Sequence, residues 1–181
     1  MYYWYEEKDL PKELNILMSK NKKIEINWVE KNTGVFKKII PTIKKYYGLN
    51  YYLLSVDDDF IYRKDYIELM VYNIQKYNSD SFCLTKSHVI GNRMIYKSLI
   101  FEKDFIEKLT DEIIETRIDD SYIKYYLVKK KKKMAMYRPN NIKDIMKIYN
   151  PIHPNSRNKT GVYSPKLIKR AIQLINKIQF N

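Results

Sequence analysis

Cysteine is nearly absent from this chain. Cys83 stands alone among 181 residues, so no internal disulfide can form. Its place in the apolar stretch from Ser81 to Thr85 marks it as a small core residue. Glycine is almost as scarce, and four glycines are too few for a glycine-rich phosphate loop. The two histidines, His88 and His153, make neither a nucleophile–base pair nor, with one cysteine, a zinc site. Each is expected on the surface or in a loop. No apolar run approaches the roughly 20 residues that span a bilayer. Met1 to Asp9 lacks the basic-then-apolar order of a secretory signal, so the expected location is the cytoplasm. Neither an internal repeat nor a convincing linker is present.

What is plentiful is positive charge. Lysine and arginine outnumber the acids by 34 to 21, for a net charge of +13. That balance favours polyanions such as nucleotide diphosphates, nucleic acid or an anionic membrane face. Five basic residues run together from Lys129 to Lys133 at a helix end. They read either as a solvated tail favoured by the helix dipole or as a peripheral contact with an anionic membrane.

The rest alternates between strand and helix patterns. Strands are expected at Tyr2 to Tyr5, at Lys23 to Val29 with Ile24, Ile26 and Trp28 inward, at Tyr51 to Leu54, at Ser81 to Lys86, at Met94 to Phe101 and at Met134 to Tyr137. Helical spacing marks Pro11 onward with Leu14, Leu17 and Met18 on one face, Val35 to Tyr47 with a break at Pro41, and Lys64 to Lys76 with Tyr66, Ile67, Met70, Val71 and Ile74. It also marks Phe105 to Leu109 and Ser121 to Lys129. Residues 138–181 form a C-terminal loop region, with 140–158 the most irregular, and a closing amphipathic helix opened by Ser164 and Pro165. The alternation predicts a single α/β domain over residues 1–181.

Three stretches could carry chemistry. Asp57, Asp58 and Asp59 stand at the carboxyl end of the apolar strand Tyr51 to Leu54, the edge where open α/β sheets bind ligands. Three adjacent carboxylates repel one another unless solvent or a cation compensates, and hard divalent ions bind through such oxygens. The plain alternative is an acidic turn whose Asp59 caps the following helix. Gly34 to Pro41 is a basic turn entering a helix, which is a natural phosphate site or simply a solvated basic face. Asp119 and Asp120 open a helix, either as caps or as a general base in a cleft.

In this order, the stretches Asn32 to Pro41, Tyr52 to Tyr62 and Asp119 to Ile123 resemble nucleotide-sugar glycosyltransferases of the GT-A fold. The likeness covers roughly Tyr2 to Tyr137. It implies a Rossmann-like mixed sheet flanked by helices and the transfer of a sugar from a nucleotide-sugar donor to a glycan, lipid-linked or protein acceptor. By the same resemblance Asp57 lies toward the donor ribose, with Asp58 supporting. Asp59 holds the Mn²⁺ or Mg²⁺ that bridges the diphosphate, Lys38 approaches the donor, and Asp120 is the base if the anomeric centre inverts. Asp119 stands next to that base as a second catalytic candidate.

The family's C-terminal metal ligand, often a histidine, has only His153 as a counterpart here. Domains of that family begin with a base-gripping strand and loop ahead of what Tyr2 to Tyr5 resembles. This sequence is therefore expected to lack them, and to leave the sheet edge beside Lys23 to Val29 open to self-association. Two other readings stand beside this one. A metal-dependent phosphoryl-transfer enzyme or nuclease would need further acids, for which Glu102 and Asp104 are available. A non-catalytic relic that binds glycan or nucleic acid is the other, although nucleic acid is not the expected partner.

Overall fold

In the computed structural model of this chain, residues 2–4, 10–57, 60–84, 94–137, 149–151 and 165–180 are described. The first two strands, β1 (Tyr2–Trp4) and β2 (Asn27–Val29), pair in parallel as a small sheet of their own, with α1 (Lys12–Lys20) between them in sequence. A 3-10 turn (Gly34–Lys38) then leads into α2 (Ile40–Lys45). The helical period expected from Val35 to Tyr47 is thus split, with Pro41 in the first turn of α2, where its missing N–H costs nothing.

The central sheet has four strands in the order β3 (Tyr52–Leu54), β6 (Met94–Lys97), β5 (Ser81–Leu84), β7 (Met134–Tyr137). β6 runs antiparallel to both neighbours, while β5 and β7 are parallel. β3, β5 and β7 therefore point the same way, and their carboxyl ends share one edge.

Period-two alternation explains the layering. Leu53, Cys83, Met94 and Tyr96 face a large core built with Phe36, Ile39, Ile43, Phe105, Tyr122 and Tyr126. Phe82, Leu84 and Ile95 face the other way onto Tyr66, Met70 and Ile74 of α3 (Tyr66–Lys76). α4 (Lys103–Glu107), α5 (Asp111–Glu115), α6 (Asp119–Lys129) and α7 (Pro165–Ile175) all send buried residues to the larger core. The protein is an α/β mixed sheet between helical layers. Because β5 is covered on both faces, all four of its residues are buried, and Cys83 is the small core residue expected.

Several expectations change. The strand expected over Lys23 to Val29 shrinks to Asn27–Val29, and Trp28 is 41 % exposed rather than inward. Ile67 and Leu17, placed on inner helix faces, lie outside at 65 % and 49 % exposure. The strand from Met94 stops at Lys97, where a 3-10 turn (Ser98–Ile100) begins. There the Ser98 hydroxyl donates to the Leu49 carbonyl at 2.6 Å and accepts the Tyr51 N–H at 2.9 Å, tying β6 back to β3. β1 pairs with one side of β2 in a sheet separate from the main one, whose outer strands among the described residues are β3 and β7. The turn expected at Ile90 to Arg93 lies outside the described residues.

Two strands had no counterpart in the sequence patterns. β4 (Phe60–Tyr62) follows the acidic triplet and pairs antiparallel with β8 (Tyr149–Pro151), Phe60 opposite Pro151 and Tyr62 opposite Tyr149. β4 also disposes of Asp59 as a helix cap, because α3 begins only at Tyr66, with Asp65 at its N-cap.

Tyrosine hydroxyls brace the larger core. Tyr126 donates to the Ile100 carbonyl and accepts the Glu102 N–H, both at 2.9 Å, while Tyr122 donates to the Phe105 carbonyl at 2.6 Å. Replacing Tyr126 with phenylalanine strands two backbone groups in a dry site. Tyr126→Phe is expected to cost about 1–3 kcal/mol of stability in urea unfolding. An unchanged midpoint would mean that water replaces the hydroxyl.

Candidate functional site

Gly34 opens the site. Its φ of +55° is left-handed, and its N–H donates to the Asn32 side chain at 3.0 Å, which turns the chain sharply into the 3-10 segment. Phe36 and Ile39 are fully buried on either side of Lys38, and Phe36 meets the Tyr122 ring edge-on at 6.0 Å. These apolar anchors leave the Lys38 side chain only 22 % exposed, aimed at acids from two other segments. Its Nζ lies 2.9 Å from Asp119 Oδ2 and 3.7 Å from Asp57 Oδ1.

Asp57 comes from the end of β3. The last ladder bond there runs from the Ser55 N–H to the Met94 carbonyl at 2.9 Å, and the chain then leaves the sheet. Asp119 and Asp120 are the first two residues of α6, delivered by a turn in which Arg117 takes a left-handed φ of +55°. The N-cap position belongs to Ile118, and the Asp119 carboxylate, one residue on, takes the Lys38 ammonium as well as backbone N–H groups at the helix start. Asp119 is turned inward, with 7 % of its side chain exposed, whereas Asp120 is half-buried.

The electrostatics follow from this crowding. Burial works against the Lys38 ammonium, but Asp119, Asp120 and Asp57 outweigh it and hold the lysine pKa above its ordinary value. Burial pushes the Asp119 carboxyl up, while Lys38 pulls it down. The Tyr96 hydroxyl is driven well up, first by burial and then by Asp120 and Asp119. The cluster thus acts on the same sheet face as Leu53 and Tyr96. Sequence patterns did not mark Tyr96, nor Tyr62, whose hydroxyl bonds to the Asp57 backbone.

Three expected residues, Asp58, Asp59 and His153, lie outside the described residues, as does His88. Their flanks are nevertheless tied together, because β4 begins directly after Asp59 and β8 ends two residues before His153. At about 3.3–3.6 Å of reach per residue, both tethers are short. Among the described residues, no group of three His, Cys, Asp or Glu side chains is placed to hold a metal ion.

The other acids and the basic run belong elsewhere. Lys130 Nζ sits 2.7 Å from Glu102 Oε2 and 2.9 Å from Asp104 Oδ2, and Lys132 lies 3.3 Å from Glu102 Oε1. Burial opposes the Lys130 charge, yet its bonds to Glu102 and Asp104 raise its pKa to about 12. Lys129 lies over the Tyr125 ring at 5.2 Å. The run Lys129 to Lys133 is thus partly consumed by internal partners. Lys130 is the C-cap of the 11-residue helix α6, roughly 16 Å of helix rise from Asp119, and it is Lys130 that Glu102 and Asp104 pair with. Nor is any helix among the described residues long and apolar enough to cross a membrane.

Comparison with protein-family models, with curated proteins and with solved structures finds no match to this chain.

Removing the Lys38 charge tests the cluster directly. Lys38→Met is expected to lower stability by about 3–5 kcal/mol near neutral pH, the usual cost of leaving a buried charge unpaired. Without its partner the Asp119 pKa rises further, so the folded state binds protons more readily than the unfolded chain. The deficit should shrink as the pH falls through the carboxylate range. In the wild type the raised lysine pKa contributes stability below its ordinary value, lost as pH rises through the folded value. Denaturant titrations from acid to alkaline pH measure both, and a pH-independent deficit would contradict the ion-pair account.

Proposed function

We propose that the chain is a metal-dependent glycosyltransferase that moves a sugar from a nucleotide-sugar donor to an acceptor hydroxyl. The observation that carries this reading is convergence. Lys38, Asp57, Asp119 and Asp120, from three stretches far apart in sequence, meet at the carboxyl edge of the sheet. Acidic turns and basic helix faces serving only local roles have no reason to meet there.

The donor set suits Mn²⁺ or Mg²⁺. Asp57 offers a hard oxygen at the sheet edge. Such an ion, held by Asp59 and Asp57 with His153 as a further ligand, would neutralise charge growing on the departing nucleoside diphosphate. The chain's own groups supply the rest. Lys38 adds positive potential for the donor phosphates, with Asp57 and Asp58 on the donor side. Asp119 keeps Lys38 in place. Asp120, half-buried at the start of α6, is the group that takes the acceptor proton. The phosphoryl-transfer alternative gains nothing from Glu102 and Asp104, which pair with Lys130.

Two measurements test this reading. With a nucleoside diphosphate present, Mn²⁺ is expected to raise the melting temperature, since a ligand at a hundredfold its Kd adds about 2.7 kcal/mol. Asp59→Asn should abolish that increment and leave the metal-free protein folded. An increment that survives would remove Asp59 from the metal site. Asp120→Asn should keep donor binding and stability while transfer falls at least about a hundredfold. Asp119→Asn should instead weaken donor binding, because it releases Lys38. Wild-type transfer by Asp120→Asn would overturn the base assignment.

A further inference from the structure

Asp57 occupies an awkward position. It lies beyond the last ladder bond of β3, and its carboxylate is 16 % exposed beside Lys38, with other acids close by. Like charges favour swinging such a carboxylate into solvent. Besides the attraction of the Lys38 ammonium, Tyr62 opposes that swing by holding the backbone that carries the carboxylate. The Asp57 N–H donates to the Tyr62 hydroxyl at 2.9 Å, and that hydroxyl donates to the Asp57 carbonyl at 3.1 Å. A single oxygen thus satisfies both polar groups of one loop residue. Tyr62 is itself held, because its ring is tilted against Tyr66 at 4.7 Å and its backbone pairs with Tyr149 of β8.

We propose that Tyr62 is a positioning residue whose hydroxyl fixes the Asp57 backbone so that the carboxylate stays against Lys38 and faces the donor diphosphate. The part concerning the donor rests on the transferase reading above. Because β4 pairs with β8, the same residue joins Asp57 through its hydroxyl to β8 through its backbone.

The test uses the full chain and Tyr62→Phe, which keeps the ring on Tyr66 and removes only the hydroxyl. Amide hydrogen exchange at Asp57 is one readout, and titration with UDP and with GDP in Mn²⁺ is the other. The Asp57 amide should exchange at least about tenfold faster in the variant, as expected when one net hydrogen bond is lost. Affinity for the diphosphate that binds should fall about tenfold. Unchanged exchange at Asp57 overturns the positioning role. Faster exchange with unchanged affinity overturns its link to the donor. An Asp57 amide already exchanging like an open loop in the wild type overturns the proposal, however well the variant folds. If the wild type binds neither diphosphate with Mn²⁺, the transferase reading fails, and exchange alone decides whether Tyr62 sets Asp57.

Discussion

One ammonium group among three carboxylates is the constraint on which the functional edge depends. Lys38 reaches Asp119 and Asp57 only because Phe36 and Ile39 are locked into the core on either side of it. The apolar contacts fix where the lysine can point. The lysine in turn makes it tolerable to bring the ends of β3 and α6 together, since uncompensated acids at that depth would repel and pay heavily for burial. Packing and electrostatics thus act in sequence, and neither alone would place Asp57 beside Asp119.

The same economy recurs at the far end of α6. Lys130 is there enclosed by Glu102 and Asp104, beneath the Tyr126 ring at 5.9 Å. Both ends of this helix are therefore anchored by lysine–carboxylate contacts, while its middle is held by Tyr122 and Tyr126 among Phe105, Phe101 and Phe180. A helix fixed at three points is a rigid mount for Asp119 and Asp120. The tyrosines suit this role because each ring fills volume while its hydroxyl satisfies a backbone group.

How much of this could be read from the sequence depends on the range of the interactions. The strand before the acidic triplet, the helix after Asp65 and the closing helix were legible, because their apolar residues repeat at local spacing. The α/β class followed from that alternation. Gly34, Lys38, Asp57, Asp119 and Asp120 could each be singled out by type and position. That Asp119 meets Lys38 could not, because it depends on a packing angle between distant segments. β4 and β8 are three-residue strands defined by each other, with too few residues for a pattern. Lys129 to Lys133 looked like a free basic patch because Glu102 and Asp104 stand more than twenty residues upstream. Thr110, whose hydroxyl accepts the Ile113 N–H at 3.4 Å, was a visible start signal for the overlooked α5.

The pairing of β4 with β8 also sets an order of events. Among the described residues, Phe60 to Tyr62 pair with Tyr149 to Pro151, and those between them include the rest of the central sheet and four helices. Closing so long a loop costs entropy that is returned only once the contacts at its ends form, so pairings of this kind come late in folding. On a ribosome, β3 and α3 can assemble while the acidic turn between them still lacks its second strand. A late step in maturing the sheet edge is therefore the docking of a segment made long after the strand it pairs with, and a nascent chain stopped before Tyr149 would carry β4 without its partner.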